Sequence, residues 1–276
     1  MQKISIIQGR LSPRPFPKLQ AFPSDTWEEE FNIAKELDFY SIEWIFEINN
    51  FKRNPIWSQI GRSQIKEIIA TSGVPVKSVC ADYFLESPFF RVPDDVRKRN
   101  ISILMDLIRF SSDIGVKSIL LPVLETAEIK NDEERKLLLD AIWQCVPLIE
   151  KHDIRICFET ELPAVEYLSL VSALNSPYIG AYYDSGNCAA KGFDMSSDVA
   201  VLGDKLFNVH IKDRPVNGVS TYLGEGATNF NEAIPILIKN DYKGLLVLQS
   251  YFGEDYIGDA IRNKKYINDI IERVTV

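Results

Sequence analysis

The sequence predicts an α/β chain folded as one (β/α)8 barrel, the TIM-barrel architecture. Short apolar or β-branched runs alternate with longer amphipathic ones, and the alternation repeats eight times. No low-complexity linker or break in composition interrupts it across 276 residues. Strand–helix alternation implies a parallel sheet, and eight such units suit closure into a barrel. The rival, an open doubly wound sheet, would carry a G-x-G-x-x-G phosphate turn after the first strand. That position reads Gln8-Gly9-Arg10-Leu11-Ser12-Pro13. Barrels of this length commonly form one domain, so residues 1–276 are expected to be a single unit.

Taken in order, Ile4–Gln8 reads as the first strand. Ser24-Asp25-Thr26 followed by Trp27-Glu28-Glu29-Glu30 supplies cap residues and acids for a helix running to about Leu37. Ser41–Trp44 is the second strand, with a helix over about 58–71. Pro75–Cys80 is the third, with a long helix over about 94–113 that Gly115 stops. Lys117–Leu121 is the fourth, and Asp132 opens a helix expected to continue to about Lys151. Ile154–Phe158 is the fifth strand, followed by a short helix near 164–174. Ile179–Tyr183 is the sixth, with a weak helix around 197–203. Phe207–Ile211 is the seventh, with a helix over about 231–240. Gly244–Leu248 is the eighth, and 256–274 is the closing helix.

With 46% hydrophobic residues the chain can bury a sizeable core. A net charge of −8 and a pI near 5.0 argue against nucleic acid or an anionic membrane as partner, since both select basic surfaces. Cys80, Cys145, Cys157 and Cys188 have no C-x-x-C spacing. Three of them lie in or beside strand-like runs, where cysteine behaves as a small hydrophobe. A reduced, cytoplasmic setting is expected. No apolar run reaches membrane-spanning length, and the N-terminus does not read as a secretion signal. The sequence does not fix an oligomeric state; a homo-oligomer is compatible with it.

In such a barrel the chemistry gathers where the strands end. Those ends read Gln8 with Arg10, Glu43, Asp82, Pro122 with Glu125, Glu159, Asp184 with Asn187, His210 with Lys212 and Asp213, and Gln249. Burying several carboxylates together is costly, so a cation or mutual pairing is implied. Glu159, Asp184 and His210 form a mixed carboxylate–imidazole set suited to one divalent ion such as Mn²⁺, Mg²⁺, Zn²⁺ or Co²⁺. Alone, His210 would read as a core histidine with one satisfied hydrogen bond; its company makes it a candidate ligand. Glu43 and Asp82 read as substrate contacts or as structural partners of Arg10 or Lys212. Arg10, Lys212 and Arg214 read as binders of a substrate phosphate or carboxylate, or as ion-pair partners of the nearby acids. His152 reads as a solvated helix cap, Glu125 and Glu161 as loop carboxylates, and Gly224 and Gly226 as turn formers.

At these residues the chain resembles the sugar phosphate isomerase/epimerase family, the xylose isomerase-like TIM barrels. The matching stretches are Gln8–Pro13, Phe22-Pro23 with Trp27–Phe31, Ser41–Ile45, Ser78–Asp82, Cys157–Thr160, Tyr183–Asn187, Val209–Asp213 and Leu223–Gly226. They run in order over nearly the whole chain. The resemblance implies one divalent metal held by a Glu, an Asp, a His and a Glu from strands five to eight. It also implies a small sugar, sugar phosphate or keto-sugar acid as substrate, and proton transfer beside a carbonyl through an enediolate. By position the first three ligands become Glu159, Asp184 and His210. The fourth departs from the pattern, because Gln249 stands where the family has glutamate.

That departure removes a charge and a base. Three carboxylates with a neutral imidazole carry −3, whereas Glu159, Asp184, His210 and Gln249 carry −2. An amide oxygen can still meet a hard cation, but an amide cannot accept and return a proton. The expected catalytic residue is therefore Glu159, with Arg10, Glu43, Asp82, Asn187, Lys212 and Asp213 as substrate contacts. An altered activity (a lyase or dehydratase) or a non-catalytic carbohydrate-binding barrel is the alternative. Repair of abasic DNA on the related scaffold is disfavoured by two histidines and an acidic total. A two-metal xylose isomerase is disfavoured because strand seven lacks a His-x-Asp pair.

Overall fold

The structure, a computed structural model, describes residues 2–14 and 19–275. Its strands are β1 (Lys3–Ile7), β2 (Ile42–Ile45), β3 (Val76–Cys80), β4 (Ser118–Pro122), β5 (Arg155–Glu159), β6 (Ile179–Asp184), β7 (Leu206–Ile211) and β8 (Leu245–Leu248). They close in sequence order into one parallel barrel. Ile6 completes the ring by pairing Ile42 on one side and Leu248 on the other. The (β/α)8 barrel is therefore as expected.

The helices are α1 (Glu29–Glu36), α2 (Gln59–Ser72), α3 (Tyr83–Glu86), α4 (Asp94–Asp113), α5 (Asp132–Trp143) and α6 (Val146–His152). They continue with α7 (Ala164–Ser172), α8 (Ser185–Ala190), α9 (Met195–Leu202), α10 (Phe230–Lys239) and α11 (Tyr256–Thr275). Two cores result. Ile4, Ile6, Val79, Ile119 and Val209 face outward and pack under the helices. Ile7, Ile45, Cys80, Leu120, Cys157, Tyr182 and Val247 fill the inside. Strands buried on both faces explain the unbroken apolar runs. All four cysteines are buried and free.

Besides the short α3, which the sequence does not predict, three elements differ from the sequence reading. The helix expected over 132–151 is two, because Pro147 has no N–H to give to Trp143 and the chain restarts at Val146. Residues 24–28 form turns, so α1 begins only at Glu29 and has no side-chain cap. The short α8 was not expected. Asp184 caps it by accepting from the Asn187 N–H, so the end of β6 turns straight into a helix. Among the described residues no helix is long and apolar enough to cross a membrane.

Candidate active site

Parallel closure brings β5, β6 and β7 side by side, with Pro122 opposite Glu159 and Asp184 opposite His210. Glu159, Asp184 and His210 are buried at 5%, 1% and 0% exposure. Each offers a ligand atom, and these atoms all lie within 4.8 Å of one another. Burial, then the neighbouring Asp184 carboxylate, pushes the Glu159 pKa up to about 8.

Glu43 orients the histidine. Its Oε1 lies 2.6 Å from His210 Nε2, and its Oε2 accepts from the Tyr182 hydroxyl at 2.5 Å. A proton on Nε2 fits that contact and leaves Nδ1 as a lone pair turned toward the mouth. Burial opposes a charge on His210, but Glu43, Glu159 and Asp184 together outweigh it and raise the pKa. The sequence reading had Glu43 meeting substrate, Arg10 or Lys212; the fold instead commits both its oxygens to His210 and Tyr182. Tyr182 was not singled out, because a tyrosine inside an apolar strand reads as core.

Two buried atoms at this point have no hydrogen-bond partner, Asp184 Oδ2 and His210 Nδ1. They face each other at 3.8 Å. With the proton on Nε2 both are acceptors, an arrangement that a cation between them would satisfy. Together with Glu159 the donor set is two carboxylates and an imidazole, which suits a divalent ion of the Mg²⁺, Mn²⁺, Co²⁺ or Zn²⁺ type. Lys212 Nζ lies 3.6 Å from Asp184 Oδ2, so this acid also meets a cationic side chain.

Asn187, on the first turn of α8, donates to Glu159 Oε1 at 3.1 Å and accepts from Arg214 at 2.9 Å. Asp213, expected as a substrate contact, is fully buried and turned into the loop that follows β7. Its Oδ1 accepts from the N–H groups of Arg214 and Thr228, and its Oδ2 from those of Gly224 and Gly226. Gly226 comes so close that an added Cβ would sit 2.2 Å from Asp213 Oδ1. The two glycines are thus more than turn formers: they let the loop wrap around this carboxylate.

Just past the end of β8, the neighbour of β7, Gln249 donates from Nε2 to Gln20 Oε1 at 2.9 Å, and its Oε1 lies 3.5 Å from Lys212 Nζ. Gln20 in turn donates to Asp82 Oδ2 at 2.8 Å, while Cys80 Sγ donates to Asp82 Oδ1 at 3.2 Å. Burial raises the Asp82 pKa. Arg10 donates to the Ser250 carbonyl at 3.0 Å and to the Leu19 carbonyl at 2.9 Å, and lies over the Phe252 ring. Burial, offset by Glu30 and Asp82, lowers its pKa to about 10. Gln20 was missed because it lies in an irregular segment where no periodicity marks it.

The xylose isomerase-like TIM barrel family model matches residues 31–268. An L-ribulose-5-phosphate 3-epimerase, UlaE, from Shigella flexneri is 25% identical over 254 residues, covering 88% of this chain and 89% of its own. Among solved structures, an L-ribulose 3-epimerase superposes with a TM-score of 0.79 at 15% identity, covering all of this chain and 96% of its own. A xylose isomerase-like TIM barrel protein from Mycobacterium smegmatis, in complex with magnesium, superposes with a TM-score of 0.74 at 15% identity. That match covers all of this chain and 98% of its own.

Proposed function

The chain belongs to the xylose isomerase-like TIM barrel family, and from that premise we propose that it is an epimerase of a small keto sugar or its phosphate. The observation that carries the reading is the convergence of Glu159, Asp184 and His210, with Asp184 Oδ2 and His210 Nδ1 left unpartnered and facing each other. The epimerase activity of the UlaE relative supports the same reading.

Glu159, Asp184 and His210, with the amide oxygen of Gln249, would hold one divalent metal. When bound, the metal would polarise the substrate carbonyl and so acidify the adjacent C–H. Glu159 is the group that takes that proton; Asn187 holds its Oε1 and so fixes where the free carboxylate oxygen points. Glu43, through Nε2, keeps His210 in the tautomer that offers Nδ1. Epimerisation needs a proton returned to the opposite face of the carbon, and the Gln249 amide cannot carry it. We assign that return to Lys212, a proton-bearing side chain 3.5 Å from Gln249 Oε1 and 3.6 Å from Asp184 Oδ2. Arg10 braces the wall behind Gln249 through Ser250.

The test is hydrogen exchange. L-ribulose 5-phosphate, L-ribulose and related ketoses, incubated in D₂O with Mn²⁺ or Mg²⁺, should gain deuterium at the carbon beside the carbonyl and yield the epimer by NMR. A ligand that raises the melting temperature without exchanging any C–H would replace this reading with a sugar-binding barrel.

A further inference from the structure

The end of the barrel away from the acids holds a second feature that epimerisation does not use. Six strands carry a basic residue within two positions of their first residue: Lys3, Lys77, Lys117, Arg155, Lys205 and Lys243. Five of these six, all but Lys205, line one cavity of ≈ 360 Å³ at this floor, and Asp153 is the carboxylate that lines it with them. Lys205 is occupied elsewhere, donating to the carbonyls of Ser176 and Ile179.

The charge is only partly answered within the protein. Lys117 pairs with Asp153 at 2.6 Å, and Lys243 with Asp241. Lys3 lies over the Tyr40 ring at 5.1 Å and Arg155 over the Phe207 ring at 4.6 Å. Those contacts hold the cationic groups against the cavity wall without neutralising them. A volume of that size is roughly 9 Å across, close to the screening length of about 8 Å at physiological salt, so the cations act on one another and on anything among them. Five cations against one lining acid stand out in a chain whose acids outnumber its bases 39 to 31. Beneath the cavity, Asn208 joins the Ser118 hydroxyl to the Leu245 N–H and gives the floor a fixed polar base.

We infer that the floor of the barrel is a binding site for a small polyanion bearing two or three phosphate or carboxylate groups, separate from the mouth. The pattern is that of a cationic concavity which concentrates counter-ions and prefers those carrying several charges on one molecule. Arg155 can take one oxyanion group with its planar fork, and the lysines supply point charges around it.

Sodium tripolyphosphate and citrate serve as probes of the two oxyanion chemistries, against KCl at matched ionic strength. Titration calorimetry on the intact protein should give a dissociation constant below 1 mM for one of them. The Lys77→Gln/Arg155→Gln double variant should bind it at least tenfold more weakly, and Lys212→Ala at the mouth as wild type does. Metal chelation by the probe would act on wild type and floor variant alike, so their difference reports the floor. On the unaltered protein, the better probe should protect Lys3, Lys77, Lys117 and Lys243 from acetylation while Lys35 and Lys265 react as before, read by mass spectrometry. Equal affinity in wild type and floor variant, an effect reproduced by KCl, or protection that is uniform or absent would each overturn the inference.

Discussion

At the C-terminal rim of the barrel Glu43, Glu159 and Asp184 are buried at 0%, 5% and 1% exposure, whereas at the N-terminal rim Lys3, Lys117, Arg155 and Lys243 stand in solvent. The same strands carry both: β5 starts at Arg155 and ends at Glu159, and β3 carries Lys77 near its start with Asp82 just past its end. Charge in water costs little and needs no partner, while charge removed from water must be paired, protonated or met by a cation. Hence every acid at the mouth has an identified neighbour, from the Glu43–His210–Tyr182 chain to the Gln20 bridge over Asp82. The floor, under no such compulsion, keeps cations whose carboxylate partners among the described residues are Asp153 and Asp241.

If the mouth is where chemistry happens, altering it should matter far more than altering the floor. Glu159→Gln keeps the shape and the bond from Asn187 but removes the base. We expect turnover to fall by about 10²–10⁴-fold, the usual worth of a positioned general base. Lys77→Gln at the floor should leave turnover within about twofold, since surface changes are generally mild. Deuterium wash-in followed by NMR measures both. Comparable losses in the two variants would erase the division between the rims.

The next largest effect concerns the wall of the mouth. Asp213→Ala leaves four backbone N–H groups (those of Arg214, Gly224, Gly226 and Thr228) without their acceptor. Four donors, of which that of Thr228 is buried and the others part-buried, losing one shared acceptor should together cost about 3 kcal/mol of stability, measured by urea denaturation. Asp213→Asn, which keeps one carbonyl oxygen, should cost less. A loss under about 1 kcal/mol for Asp213→Ala would show that the loop does not depend on this carboxylate.

A third test uses pH. Glu30, 1% exposed, accepts from the Gly9 and Leu11 N–H groups and the Ser12 hydroxyl, and so holds the turn that carries Arg10. Burial raises its pKa from 4.5 to about 7. The folded protein therefore keeps this proton more tightly than the unfolded chain, and its stabilising effect is full below pH 4.5 and lost as pH rises through 7. Between pH 5 and 7 this group alone should lower stability by about 2 kcal/mol. Glu30→Gln, which keeps an acceptor but has no proton to lose, should flatten that part of the profile. An unchanged slope in the variant would assign the pH dependence to other groups.

How far the site was legible follows the same physics. Strand ends were readable because a barrel buried on both faces demands apolar runs, and an acid or histidine closing such a run stands out; Glu159, Asp184 and His210 were found that way. Partnerships across the barrel were not, since Glu43 and His210 are 167 positions apart and nothing in either run names the other. Gln20 and the Asp213-centred loop lie in irregular chain, where backbone donors decide the contacts and periodicity says nothing. Pro147 carries the signal for the break between α5 and α6, but the amphipathic pattern on both sides concealed it. The floor cations were visible in the sequence yet scattered as ordinary strand-flanking lysines until closure set them around one cavity.

The smallest expected effect tests Gln249, which stands where the family resemblance implies a glutamate. Gln249→Glu adds one negative charge 3.5 Å from the Lys212 ammonium that also meets Asp184. If the side chain lies within reach of the ion, attraction to a divalent cation rises. Two local changes work against it: the new carboxylate gains Lys212, now 3.5 Å from Gln249 Oε1, as a competing partner, and it loses the N–H given to Gln20. With those offsets we expect Mn²⁺ to bind about tenfold more tightly, equivalent to about 1.4 kcal/mol, by calorimetric titration of metal-free protein. Combining Gln249→Glu with Lys212→Met should enlarge the gain, because the competing cation is gone. If neither variant changes the affinity, Gln249 is outside the ion's reach, and the metal would rest on Glu159, Asp184 and His210 alone.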